Sequence, residues 1–334
     1  MRATLRRFGS RQGNGELATM SDVRSCYRIL LGRPPDTEGL NHYSAMVRAG
    51  SLSVSHLFEL FIRSPEFEAR LEHLYAWAAR RPELVNLRDG SSIYVASTGD
   101  ADISGAIRSN NEYEPAVTAA LRSCLSAGGC FIDVGASLGY FTVLAARAVG
   151  NDGRVVAFEP GPHNQSMVLL NVVHNGLTNV ELLPYALSDR REVVAYRRLG
   201  SNGAIAPLLG AESAAIGDLV QALPMDEALA NEPRVDVVKI DVEGAEGRVL
   251  RGAAKIIDRF RPTLLFELTP GALAEVSDTT GASLLQWLEG YGYSFSLLTG
   301  LTRDLRAGPL GTDEVLERFE ELDALHVDVM ASRA

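Results

Sequence analysis

The chain has 334 residues, 46% of them hydrophobic, with 42 acidic against 32 basic side chains and a net charge of −10. That length allows about two domains with a sizeable core, and the acidic balance argues against nucleic acid as a partner. No apolar run of about 18 residues is present and no apolar stretch follows the basic start, so neither a transmembrane segment nor a secretion signal is expected, and a cytoplasmic location follows. Residues 1–19 are polar and glycine-rich and are expected to be disordered. From Ser21 a helical period places Val23, Tyr27, Leu30 and Leu31 on one face and stops at Gly32. Leu40, Tyr43 and Val47 repeat the period before Gly50, and Val54, Leu57, Phe58 and Phe61 share a third face. Ser64-Pro65 reads as an N-cap with proline at the first helical position, opening a helix to Trp77. Residues 20–81 are therefore expected to form a small all-helical domain, with a boundary at Arg81-Pro82 and a second domain over residues 82–334.

The second domain opens on a hairpin signal, with Asp89-Gly90 ahead of the β-formers Ile93-Tyr94-Val95. Glu112-Tyr113-Glu114-Pro115 then starts a helix carrying Val117, Leu121 and Leu125. Strands are expected over residues 130–134, 155–159, 180–184, 235–241 and 263–268, with two last β runs at 293–298 and 325–330. Helices fall between them, among them one opened by Pro160-Gly161-Pro162 and one carrying Val249, Leu250 and Ile256. Alternation of this kind predicts an α/β fold with a parallel, doubly wound sheet. Residues 190–222 break it: Val193-Val194-Ala195-Tyr196 reads as an added strand and Gly200-Ser201-Asn202-Gly203 as a flexible loop, an insertion over a ligand cleft. Cys26, Cys124 and Cys130 show neither CxxC spacing nor paired histidines, so they read as small apolar side chains and no metal site is expected.

The chemistry gathers at strand ends. Residues 130–141 run from a buried strand through a turn on Gly135 into a helix whose first turn is expected at Ser137 to Tyr140. Glu159 ends the next strand 24 residues after Gly135, where a carboxylate can grip both hydroxyls of a ribose. Glycine turn, helix and acid suit NAD or S-adenosylmethionine alike. Asp133 just before the turn suits a ligand with a positive amino group and favours S-adenosylmethionine. An NAD oxidoreductase would also need a catalytic His or Tyr, and His163 and His174 fall on a helix away from the cleft. A scaffold without activity is the third class of reading, and intact Asp133, Glu159 and Asp241 argue against it. Lysine occurs only at 239 and 255, and Lys239 lies in a strand of valine and isoleucine, where it needs a partner. Strand alternation puts Lys239, Asp241 and Glu243 on one side at the strand end, facing the cleft. Asp241 is the candidate base, with Lys239 orienting it; a neutral Lys239 would exchange the roles, and a metal on Asp241 and Glu243 is a third arrangement.

Two resemblances accompany these readings. Tyr27-Arg28-Ile29-Leu30-Leu31-Gly32-Arg33, Asp36, Gly39-Leu40 and Ser64-Pro65-Glu66-Phe67 resemble a bacterial helical domain of uncharacterised function, of the LGRxxDxxG…SPEF type, attached to surface-layer and glycan-related proteins. It implies a location or a protein partner rather than chemistry. Glu112-Tyr113-Glu114-Pro115, residues 131–140, Ala157-Phe158-Glu159-Pro160, Asn171 to Asn175, Ala186-Leu187-Ser188, Ser201-Asn202-Gly203 and Lys239-Ile240-Asp241-Val242-Glu243-Gly244-Ala245-Glu246 resemble the FkbM family of S-adenosylmethionine-dependent methyltransferases. The resemblance implies a seven-stranded class I sheet with its last strand antiparallel, and O-methylation of a small-molecule or glycan hydroxyl. It implies cofactor contacts at Glu114, Asp133, Gly135, Ala136, Gly139, Glu159, Ala186 and Leu187, a catalytic face of Lys239, Asp241 and Glu243, and acceptor contacts at Asn202 and Gly203. Ser137 stands where many members have asparagine, and Ala204-Ile205-Ala206 departs from the glycine and serine often found after Asn-Gly.

Overall fold

A computed structural model describes residues 17–31, 33, 35–67, 82–96, 100, 102–199, 202–206, 218–299 and 309–333. The chain divides into two compact units, residues 1–79 and 80–334.

In the first unit, helices span Met20–Ile29, Thr37–Arg48 and Val54–Ile62, and each starts on a residue chosen to cap it. Thr19 and Asp22 form a capping box, the Asp36 carboxylate accepts from the Gly39 N–H, and Ser53 accepts from the His56 N–H. Val23, Tyr27, Leu30 and Leu31 of the first expected face and Leu57 and Phe61 of the third are buried, with the Tyr27 ring edge-on to Phe61 at 4.9 Å, whereas Phe58 is half-buried and Val54 is exposed at the start of its helix. Leu40, Tyr43 and Val47 of the second helix are only half-buried. The LGRxxDxxG…SPEF residues hold this unit together: Arg33 pairs with Asp36 at 2.9 Å and clasps both carboxylate oxygens of Glu66 at 2.5 and 2.8 Å. A Cβ on Gly39 would overlap the Tyr27 hydroxyl. The disorder expected for residues 1–19 is corrected at its end, where Leu17 bridges to Ser53 and the Ala18 N–H donates to Leu52 O at 2.8 Å. Residues 1–16, and the continuation of the Ser64-capped helix to Trp77, lie outside the described residues.

In the second unit, β1 (Glu83–Asn86) and β2 (Ser92–Val95) form an antiparallel hairpin. The main sheet comprises β3 (Cys130–Val134), β4 (Arg154–Phe158), β5 (Val180–Leu183), β10 (Val237–Ile240), β11 (Thr263–Leu268), β12 (Ser294–Leu298) and β13 (Val327–Ser332). Its order is β12-β13-β11-β10-β3-β4-β5, with β13 antiparallel to both neighbours and the pairs from β11 to β5 parallel. This is the α/β class I sheet that the resemblance implied. The chain leaves β5 on one side of β3 and returns as β10 on the other, so a topological switch point opens between β3 and β10. Alternation builds two cores: Ile132, Val134, Val238, Ile240 and Phe266 face one side, while Phe131, Val237 and Leu265 face the other.

A second sheet, ordered β6-β9-β7-β8, is formed by β6 (Ala186–Leu187), β7 (Glu192–Leu199), β8 (Asn202–Ala206) and β9 (Asp218–Leu223). Asn202 and Gly203 therefore belong to a strand rather than a flexible loop, because β8 finds its hydrogen-bond partner in β7; Gly200 and Ser201 lie outside the described residues. Helices at Ile103–Asn110, Pro270–Ser277 and Thr312–Glu321 are additions that the sequence pattern does not announce. The helix expected through Val249 and Ile256 is two, Glu246–Arg251 and Ala254–Phe260. Among the described residues, no helix is long and apolar enough to cross a membrane.

Candidate functional site

The β3 turn is built by backbone crowding. Gly135 has φ +85°, and a Cβ there would overlap the Asp241 carbonyl, so glycine is required where the ends of β3 and β10 touch. The Gly135 and Ala136 N–H groups both donate to Phe158 O, at 3.0 and 3.1 Å, and the Ser137 N–H donates to Glu159 Oε2 at 2.8 Å. Ser137 is left-handed (φ 51°), as is Gly139 (φ 90°), so the helix begins at Tyr140, later than the expected Ser137. Gly139 serves packing, its missing Cβ facing Val168 at 3.2 Å.

A cleft of about 560 Å³ lies at the carboxyl ends of β3, β4 and β10. Gly135, Glu159, Ala186, Leu187, Gly203, Asp241 and Glu243 line it, so seven of the expected site residues converge. Ile103, Tyr185, Ile205 and Val242 add apolar wall, and Asn164 and Tyr196 add polar groups beside Glu159. Glu159 is buried, and burial pushes its carboxyl up to about 7 against the opposing donors from Gly161, Ser137, Asn164 and Tyr196. Burial, with the nearby Asp241 carboxylate, likewise pushes Glu243 up to about 7.

Asp241 also lines a small second pocket, shared with Val117, Lys239, Glu267, Leu298 and Asp328. Lys239 Nζ donates to Asp241 Oδ2 at 2.8 Å and sits over the Phe141 ring at 4.4 Å. Its side chain is 5% exposed. Burial alone would depress its pKa, but the carboxylates of Asp241, Glu114 and Asp133 outweigh burial and hold it above the usual lysine range. That direction, with the contact to Asp241, favours the ammonium form over the neutral-lysine arrangement. Asp328 enters from the antiparallel β13, and its carboxyl is pushed up to about 8, by burial first and then by Glu114.

Several expected residues lie elsewhere. Asp133 does not reach the cleft: it is 1% exposed, accepts from Thr142 Oγ1 at 2.5 Å, and stands opposite Lys239 across the β3–β10 pairing. Alternation explains this, since Asp133 shares the inward face of Phe131 while the cleft opens beyond Val134. Ala136 and Gly139 support the turn without lining the cleft, and Glu114 belongs to the acids around Lys239, with burial raising its pKa. Glu243 joins the cleft by a different route from the alternation expected: β10 ends at Ile240, and left-handed Glu243 (φ 53°) and Gly244 (φ 96°) turn the chain. Glu246 stitches that turn, its Oε1 accepting from the Val242 and Gly244 N–H groups at 3.1 and 3.3 Å. Tyr196, Glu267 and Asp328 were missed; a tyrosine in an added strand was visible, but no local signal places the other two beside Lys239.

Comparison with known proteins gives a family for the core of this unit. Residues 133–295 match the model of the Methyltransferase FkbM domain. Distant solved structures are also similar. One is methyltransferase FkbM from Methylobacillus flagellatus KT, at 13% identity over 89% of this chain and 71% of that chain, with a TM-score of 0.35. Another is an S-adenosylmethionine-dependent O-methyltransferase from Thermotoga maritima, at 15% identity over 84% and 82%, with a TM-score of 0.37. A third is precorrin-6y C5,15-methyltransferase from Geobacter metallireducens GS-15, at 16% identity over 65% and 88%, with a TM-score of 0.37. No curated protein matches the chain.

Proposed function

Because the chain carries a methyltransferase domain of the FkbM family, dependent on S-adenosylmethionine, we propose that it O-methylates a hydroxyl of a sugar in a bacterial glycan or glycosylated metabolite. S-adenosylmethionine supplies the electrophilic methyl group. The cleft residues fit it: Glu159 is the carboxylate for the ribose hydroxyls, Leu187 and Ala186 are apolar wall for the adenine, and Glu243 and Asp241 offer negative charge to a cationic ligand. Glu114, Asp133, Ala136 and Gly139 contribute indirectly, through the acids around Lys239 and through the turn.

The observation that carries the reading is Asp241, the residue common to the cleft and to the small pocket around Lys239. An acceptor hydroxyl brought beside Asp241 would have to release its proton as it is methylated. The Asp241 carboxylate takes that proton, and the Lys239 ammonium at 2.8 Å holds it in place. The choice of a sugar is supported by the resemblance of the first unit to a module of glycan-related proteins.

Asp241→Asn tests this. It is expected to bind S-adenosylhomocysteine nearly as well as wild type while turnover falls by roughly 10²–10⁴-fold. The readout is S-adenosylhomocysteine release with extracted cell-surface glycans as acceptor. Near-normal turnover would remove Asp241 as the base, and inhibition by chelator with rescue by magnesium would move it to a metal site.

A further inference from the structure

The ring of Tyr196, in β7, occupies a space cleared by two glycines from other elements. A Cβ on Gly161 would lie 2.6 Å from the Tyr196 hydroxyl oxygen, and one on Gly203 would overlap it. Gly161 has an ordinary φ of −75° and Gly203 is not among the positive-φ residues, so a side chain at either would disturb the Tyr196 ring rather than the backbone. Between them the hydroxyl stands 3.4 Å from Glu159 Oε1, while Asn164 Nδ2 donates to it at 3.3 Å. Tyr196, Asn164 and Glu159 are all buried, and all three line the cleft.

We propose that Tyr196 is a positioning residue for the cofactor: its hydroxyl, steadied by Asn164, holds the Glu159 carboxylate toward the cleft, and Gly161 and Gly203 exist to seat its ring. This rests on the reading of Glu159 as the ribose contact. It gives Gly203 a place on the cofactor side, where the resemblance implied an acceptor contact. The groups facing Glu159 are uncharged donors: the Ser137 N–H from the β3 turn, the Gly161 N–H and Asn164 side chain from the start of the Pro162–His174 helix, and the Tyr196 hydroxyl from β7. With burial raising the Glu159 carboxyl to about 7, each lost donor raises it further, so ionisation near neutrality depends on them.

The test is calorimetric titration of S-adenosylhomocysteine into the full-length wild type and variants between about pH 6 and pH 9. Glu159→Gln is expected to lose roughly ten- to a hundredfold in affinity. Tyr196→Phe, which deletes one oxygen and keeps the ring, is expected to lose roughly three- to tenfold near pH 7 and to approach wild type near pH 9. Gly203→Ala is expected to show the same profile, and the double variant no more than the larger single loss. Should Gly203→Ala fail to fold, Tyr196→Phe decides. Unchanged affinity in Tyr196→Phe beside a weakened Glu159→Gln overturns the inference. So does a loss equal at every pH, the mark of a packing defect. Unchanged affinity in Glu159→Gln removes the ribose reading itself, and the inference with it.

Discussion

At the scale of single residues the site turns on one buried cation. Lys239 stands among Asp241, Glu114, Asp133 and Asp328, and burial makes the last three costly to ionise unless a positive charge is near. Its folded pKa lies above the ordinary 10.5, so its stabilisation is present below that pH and is lost as pH climbs through the folded value. Lys239→Met strands the acids, and at pH 8 it is expected to cost about 3–5 kcal/mol in chemical denaturation. Acids with raised folded pKa values bind protons more readily folded than unfolded. The deficit should therefore shrink as pH falls from about 8, the value for Asp328, toward its ordinary 3.8. A deficit that stays constant across that window would show that packing over Phe141, not charge, is what the lysine supplies.

At the scale of elements, two devices place the cleft. Asn171 is fully buried and ties three backbone groups: its Oδ1 accepts from the Tyr94 N–H at 2.6 Å, and its Nδ2 donates to Tyr94 O and Leu138 O at 3.0 and 2.8 Å. It joins β2, the β3 turn and the Pro162–His174 helix by acting as a substitute strand edge. Asn171→Leu leaves these groups unpaired and is expected to cost about 1–3 kcal/mol, with faster hydrogen exchange at the Tyr94 amide. The second device is the contact of Gly135 with the Asp241 carbonyl. Gly135→Ala must strain the turn or push β3 and β10 apart, for about 1–3 kcal/mol. Thermal melts should show lower stability and a weakened response to S-adenosylhomocysteine, and a normal response would mean the contact does not shape the cleft.

At the scale of the molecule, every residue lining the cleft comes from the unit that begins at residue 80. The first unit has its own clasp of Arg33, Asp36 and Glu66 and its own buried face. A protein beginning at Pro82 is therefore expected to fold alone and to be stabilised by about 2.7 kcal/mol when S-adenosylhomocysteine is supplied at about 100 times its dissociation constant. An insoluble product, or one that the ligand leaves unstabilised, would make the helical unit part of the catalytic body.

Local pattern was enough to find the strands of the main sheet, because short apolar runs bounded by turn residues report burial directly, but it missed most of the second sheet, whose strands are stabilised by pairing with one another. It also found Gly135, Glu159 and Asp241, since residues at the carboxyl ends of neighbouring parallel strands must meet at a switch point. Asp133 shows where that reasoning stops: two residues before Gly135 it faces inward, and only the sheet's pleat and the presence of Thr142 assign it to the core. The partners of Lys239 arrive from Glu114 and from Asp328 on an antiparallel strand, separations that no periodicity encodes. The same holds for Tyr196, whose placement over two glycines depends on how β7 and β8 pair. Sequence alone determined the fold class and the strand ends that carry chemistry, because burial is written in local alternation. Tertiary structure decided that Glu114, Asp133 and Asp328 share the buried Lys239 and that Ser137 and Tyr196 reach Glu159, because those contacts join residues far apart in the chain.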